Sequence, residues 1–316
     1  MSTIVGSGKL LFEPVEHWEK LPAGWEFIDA AGVAVDSKDN VYVFNRSEHP
    51  IIVFDRDGNF LRSFGEGLFS GRMHGIHIGP DDSVYCVDDG LHTVQKFTPE
   101  GKLLMTLGKP NEPAPKWKGE PFNRPTHVAI SPINHDIFVS DGYGNCRIHR
   151  FTHDGRHILS WGEPGIDAGQ FIRPHNLVID NDGLVYVADR ECHRIQVFEP
   201  TGKFVTMWHN IHRPDGIALD KDGNFFIGEL NAIDGMEGCP SLGHRVSIYN
   251  LQGQLQTRIG DPDEGEGPTQ FIAPHGVAVD SEGSLYVGDV AYTIRGRRMD
   301  PPRHLKCFRK FRRIKA

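Results

Sequence analysis

The sequence has no apolar run approaching the roughly 20 residues that a membrane-spanning helix needs. Its first residues, MSTIVGSGKLLFEPVEHW, lack a basic region followed by an apolar core, so no secretory signal is expected there. Cysteine is scarce. The five (Cys86, Cys146, Cys192, Cys239, Cys307) are odd in number, widely spaced and free of any CxxC. They read as reduced thiols of a cytoplasmic protein, not as a disulfide framework. Excess positive charge is also missing: a net charge of −8 argues against a nucleic-acid partner, and no membrane partner is expected either. No GxSxG, HExxH or phosphate-binding loop occurs, and no long stretch has helical periodicity.

Short strands and turns are abundant instead. The 36 glycines and 38% hydrophobic content fit a strand-and-turn protein, and 316 residues can bury a large core. A unit recurs: an apolar strand, an Asp/Asn/Gly turn, a second strand ending near an acid, a gap, then a third strand closed by a Gly turn. Copies begin near Gly32, His74, Thr126, His175, Asp215 and His275. The clearest is PHNLVIDNDGLVYVADRECHRIQVFEPTGKF, residues 174 to 204. The turns DRDG, DNDG, DKDG and DSEG suit hairpins that need positive φ. The strands read as alternating apolar and polar. Strand-rich repeats of about 40–50 residues predict a propeller, one four-stranded sheet per blade. Six copies predict an all-β, six-bladed β-propeller forming a single domain over residues 1–316. KLLFEPV, residues 9–15, is expected to join the blade begun by His275 and pair an otherwise open edge. Residues 109–125 and 231–244 read as long loops over one face.

Three copies carry histidine at the same place: His74 in MHGIHIGPDD, His175 in PHNLVIDNDG and His275 in PHGVAVDSEG. The intervening copies carry Thr126 and Asp215. In a ring of six, alternate copies stand about 120° apart, so the imidazoles converge on the axis. Three imidazoles with an open position make a catalytic zinc site, though imidazole suits iron too. Arg46 and Arg190 close second strands, and Tyr143 lies one residue past the equivalent place. Antiparallel pairing puts these beside the histidine ends of the first strands. The recurrent acids Asp88, Asp141, Asp189, Glu229 and Asp289 read as turn stabilisers, Trp161 and Trp208 as packing anchors, and His77, His127 and His244 as structural. The basic tail, residues 295–316, fits a closing strand with Leu305, Cys307, Phe308 and Phe311 inside.

With these motifs in hand, the repeat resembles the NHL repeat. The set PHNL, ADRE, SDGYGN and PHGV resembles more narrowly the peptidyl-α-hydroxyglycine α-amidating lyase domain, from about residue 25 to the end. The resemblance implies a six-bladed propeller with zinc held by His74, His175 and His275, and active-site roles for Arg46, Arg190 and Tyr143. It also implies a structural calcium on the carbonyls of Val33 and Ile76 and on a carboxylate after the third histidine, where this chain has Gly276.

The reaction so implied is cleavage of the C–N bond of a small N-acyl or ureido α-hydroxy acid, giving an amide and an α-oxo acid such as glyoxylate. The metal acidifies the substrate hydroxyl. Tyr143 is the expected base; a free phenol titrates near ~10, and neighbouring cations favour its anion. Arg46 and Arg190 are expected to bind the substrate carboxylate. Two rivals stand beside this reading. One is a metal-dependent propeller hydrolase or lactonase. The other is a non-catalytic NHL module that binds protein. The oligomeric state is open.

Overall fold

A computed structural model describes residues 3–231 and 242–315. The fold is a six-bladed β-propeller, with one short α-helix, Ala291–Ile294, among the described residues. Blade one holds Ala30–Val35, Val41–Asn45, Ile51–Phe54 and Phe60–Phe64. Blade two holds Met73–Ile78, Val84–Asp88, Thr93–Phe97 and Leu103–Leu107, and blade three His127–Ile130, Ile137–Asp141, Arg147–Phe151 and His157–Trp161. Blade four holds Pro174–Ile179, Val185–Asp189, Arg194–Phe198 and Phe204–Trp208, and blade five Pro214–Leu219, Phe225–Glu229, Arg245–Tyr249 and Leu255–Ile259. Blade six begins with Pro274–Val279 and Leu285–Asp289. None of the helices among the described residues is long and apolar enough to cross a membrane.

The hairpin turns have a recurrent cause. Asp180 accepts the amides of Asp182 and Leu184 and the hydroxyl of Tyr186. Asp36 does the same with Lys38, Asn40 and Tyr42, and Asp280 with Glu282, Ser284 and Tyr286. These side chains bind the backbone two and four residues on and so close the turn. The tyrosines of this pattern are buried and structural.

The expected alternation fails in the second strands. VYVFN, VYCVD, IFVSD, VYVAD, FFIGE and LYVGD are buried at every position. Each such strand is covered on both faces, so both of its side-chain rows are buried. The outer strands FLRSF and LLMTL are largely exposed.

Two compact units are distinguishable, Phe64–Pro214 and Met1–Ser63 with Asp215–Ala316. In the first, Phe138, Ile148, Leu177 and Val187 pack blade three on blade four, and Val87, Val94, Val128 and Val139 pack blade two on blade three. Trp161 sits against Phe138 and Phe198, and Trp208 against Tyr186, as anchors. In the second, Trp18, Phe54, Tyr286 and Phe308 join blades one and six.

Blade six is completed from both chain ends. Phe308–Ile314 pairs with Leu285–Asp289, Leu10–Val15 pairs with Phe308–Ile314, and Val5–Ser7 adds a fifth strand. The N-terminal strand thus lies where the sequence indicated, and the outermost strand is an addition. Phe12 is fully buried against Phe226. Leu305, Cys307, Phe308 and Phe311 are inside, as expected for the closing strand. Cys86, Cys146, Cys192 and Cys307 are free thiols, while Cys239 and most of the expected 231–244 loop lie outside the described residues.

Candidate metal centre

The second-strand acids set the stage by tying down the loops that lead into the histidines. Asp189 accepts the amides of Ile172 and Arg173, just ahead of His175. Asp88 accepts the amide and hydroxyl of Ser70, four residues ahead of His74. Asp289 accepts the amide of Ala273, two residues ahead of His275. Asp141 does the same for Asn123. Asp88, Asp141, Asp189 and Asp289 thus bind loop amides as their repetition suggested, whereas Glu229 takes a hydrogen bond from the Arg245 guanidinium.

His74, His175 and His275 are buried. Their ligand nitrogens lie within 4.8 Å of one another, a group that could hold a metal ion. Backbone carbonyls orient two of them. His74 Nδ1 lies 2.6 Å from the Thr126 carbonyl, and His275 Nδ1 lies 2.6 Å from the Ala31 carbonyl. A carbonyl only accepts, so each Nδ1 carries the proton and each Nε2 keeps its lone pair for a ligand. Metal-binding histidines are generally held this way. The donor set therefore fits zinc, which takes neutral imidazole and tolerates an open position.

Glycine makes these short contacts possible. A Cβ at Gly75 would stand 2.7 Å from Thr126 O and 2.9 Å from His127 Cα. One at Gly276 would stand 2.8 Å from both Gly32 Cα and Val33 N. In each case the neighbouring first strand comes close enough for its carbonyl to reach the imidazole. The same observation decides the calcium question. Val33 and Ile76 sit within first strands, paired with Val43 and Cys86. The third donor of the expected set is a carboxylate at 276, where the neighbouring backbone leaves no room for a side chain. The calcium set does not fit.

Tyr143 is partly buried beside the imidazoles. Its hydroxyl is 2.9 Å from His74 Nε2 and 3.1 Å from His175 Nε2. Three guanidinium groups lie against its ring, those of Arg124, Arg173 and Arg190, at 4.7, 5.3 and 5.8 Å from the centroid. Arg190 is buried and donates to Glu191 at 2.9 Å. Glu191 also takes two hydrogen bonds from Arg213 and one from Arg173. Burial alone would raise its pKa. The Arg213 hydrogen bond and the charges of Arg190, Arg213 and Arg173 outweigh that and hold the carboxyl at about 2. Arg46 belongs to the other unit, where it donates to Thr293 and faces the Asp29 carboxylate at 3.5 Å. His77 accepts the Ile130 amide, and His244 meets the Pro262 carbonyl, both structural contacts.

A model of the NHL repeat matches residues 171–198. The human NHL repeat-containing protein 3 is 32% identical over 307 residues, spanning 89% of this chain and 82% of that protein. The chain belongs to the NHL-repeat family. It is also similar to peptidyl-alpha-hydroxyglycine alpha-amidating lyase 1 of Drosophila melanogaster, 32% identical over 251 residues, covering 74% of this chain and 45% of that protein. Peptidyl-glycine alpha-amidating monooxygenase B of Xenopus laevis is 32% identical over 293 residues, 82% of this chain and 32% of that protein. The chain thus spans about a third of the length of the amidating monooxygenases it matches. Among solved structures, a streptogramin B lyase has a TM-score of 0.61 at 15% identity, covering 91% of this chain and 94% of that one. A gluconolactonase from Xanthomonas campestris has a TM-score of 0.61 at 12% identity, covering 95% and 89%. These two share the fold.

Within this NHL propeller, several residues near the imidazoles escaped the reading of the sequence. Arg124, Arg173 and Arg213 surround Tyr143 or its neighbours, and Glu191 gathers three guanidiniums. The signal was present: NRPTH, IRPHN and HRPDG place arginine two residues before the histidine column, and so does Arg72 in RMH.

Proposed function

We propose that the protein is a zinc-dependent lyase that cleaves the C–N bond of a small carbinolamide, releasing an amide and an α-oxo acid such as glyoxylate. The observation that carries this reading is the cluster of three buried imidazoles with two Nδ1 protons committed to carbonyls. The names of the lyase and monooxygenase relatives support the reaction class. Three imidazoles without a carboxylate suit zinc better than a hard, oxygen-seeking cation such as calcium.

His74, His175 and His275 would hold the ion. When bound, it supplies Lewis acidity to a substrate oxygen. Tyr143 takes the proton of the substrate hydroxyl; the approach of its oxygen to within 3.1 Å of two of the ligand nitrogens supports this role. As the proton leaves, the oxygen electron pair forms the new C=O bond and the C–N bond breaks. The departing amide nitrogen takes a proton, and Tyr143 is its carrier. No electrons are transferred to or from any other reactant. Arg190 and Arg46 bind the substrate carboxylate; the planar guanidinium matches its two oxygens.

The test uses the purified chain. It should carry about one zinc, and His175→Ala should lose it. α-Hydroxyhippurate should yield glyoxylate and benzamide in equal amounts. A metal-free protein, or a zinc-loaded one that leaves this compound intact, refutes the proposal.

A further inference from the structure

The column two residues before the histidine column carries arginine in four successive blades: Arg72, Arg124, Arg173 and Arg213. All four belong to the Phe64–Pro214 unit. The acids that face them are Asp89 and Glu191. Asp89 is fully buried and takes two hydrogen bonds from Arg72. Glu191 is engaged twice by Arg213, once by Arg190 and once by Arg173. The outer arginines, Arg72 and Arg213, are thus each paired through two nitrogens.

The inner two are not. Arg124 reaches Asp89 only through contacts of 3.4 Å. Arg173 shares Glu191 through one nitrogen at 3.1 Å, and its buried Nε–H has no hydrogen-bond partner among the described residues. A buried donor without an acceptor carries a desolvation cost that a bound oxygen removes. Both guanidiniums lie against Tyr143, the proposed base, and both side chains are more than a third exposed to solvent. They are cationic groups, open to solvent, beside the reacting position, with donors to spare.

We infer that Arg124 and Arg173 form a second anion subsite, and that the substrate carries a second acidic group on its acyl side. This rests on the lyase reading, in which Arg190 and Arg46 serve the carboxylate of the hydroxy acid. The substrate class is then an N-acyl α-hydroxyglycine whose acyl group ends in a carboxylate. Arg124 and Arg173 determine specificity; they take no part in bond breaking.

The experiment compares N-succinyl-α-hydroxyglycine with its analogue bearing a terminal carboxamide. The wild-type protein should prefer the carboxylate in kcat/KM by about ten- to a hundredfold, the range of a charge-assisted hydrogen bond. Arg124→Gln and Arg173→Gln should each cut that ratio to a few fold. A wild-type ratio near one overturns the inference. So does an equal loss on both compounds in the variants, which marks the arginines as mere supports of the Tyr143 ring. A second arm uses N-succinylglycine and its carboxamide analogue, which lack the hydroxyl and cannot be cleaved. Calorimetry on the wild-type protein should show the same preference for the carboxylate. If neither hydroxy compound turns over while this preference holds, the lyase reading fails and the subsite stands. If turnover occurs without any preference in either arm, the subsite falls alone.

Discussion

Gly75→Ala is a one-methyl test of how the first imidazole is oriented. The added carbon would meet His127 Nδ1 at 2.4 Å, Thr126 O at 2.7 Å and His127 Cα at 2.9 Å. Two of these atoms are backbone and cannot rotate away. Ordinary contact begins near 3.4 Å, so the Thr126 carbonyl must recede by about 0.7 Å. A movement of that size stretches its 2.6 Å bond to His74 Nδ1 to about 3.3 Å, the weak end of the hydrogen-bond range. Two losses follow. Overpacking costs about 1–3 kcal/mol of stability, a fall in Tm of roughly 2–6 °C. Loss of the carbonyl that orients the ligand weakens zinc about 10- to 100-fold. Calorimetric melting reads the first, and competition with a chromophoric chelator reads the second. Gly71→Ala is the control, because a Cβ there meets nothing within 4 Å. Wild-type zinc affinity in Gly75→Ala, with the expected fall in Tm, would refute the claim that this carbonyl prepares the ligand. An equal loss in Gly71→Ala would refute the packing argument.

Tyr143→Phe should retain zinc and lower kcat by about 10²–10⁴, the range for a positioned acid–base group, with little change in KM; full turnover in that variant removes the hydroxyl from the mechanism. The Glu191 carboxyl is held at about 2, below its ordinary 4.5, so its contribution to stability is complete above pH 4.5 and disappears as pH falls through 2. That contribution is on the order of 3 kcal/mol. Denaturant titrations of Glu191→Gln should lack this acid-dependent loss between pH 4.5 and 2, and at pH 7 the variant should be less stable than the parent; parallel pH curves for the two proteins would contradict the assignment. Phe12→Ala should cost about 3–5 kcal/mol, since the ring is fully buried against Phe226; an unchanged midpoint in urea would mean that the N-terminal strand adds little to blade six.

The parts of this protein that were legible in its sequence are those written in short-range pattern. The turn aspartates, the six second strands and the three histidines each recur at a fixed offset, and a repeat turns sequence offset into spatial column. The strand KLLFEPV was legible for another reason: the first copy opens late, which leaves an edge of the last blade to be paired. Burial was misread. The second strands were expected to alternate, yet even Asn45, Asp88, Ser140 and Asp141 are buried, because packing on both faces depends on neighbours distant in sequence. The arginine column was missed although RMH, NRPTH, IRPHN and HRPDG spell it out. Only the pairing of Arg72 with Asp89 and of Arg213 with Glu191 separates the inner arginines from the outer ones, and no local pattern encodes that pairing. The roles of Thr126 and Ala31 were illegible in principle, since each contributes a backbone carbonyl, which every residue has.

Those two carbonyls support two of the three ligands from the neighbouring blade. His74 of blade two leans on Thr126 of blade three, and His275 of blade six leans on Ala31 of blade one. For His74 and His275, the residue at the histidine column of the next blade is the support. Thr126 is itself fixed in place. Its hydroxyl bonds Ser140 and the Pro174 carbonyl, which fixes its own strand and leaves its carbonyl aimed at His74. Ligand and support thus occupy equivalent positions in successive copies of one unit. The blades themselves do not depend on which is present, because their turns are closed by the aspartates and their cores by the second strands. For His74 and His275, the copy between two ligands contributes through its backbone, and its side chain is free to serve its own strand, as Thr126 does.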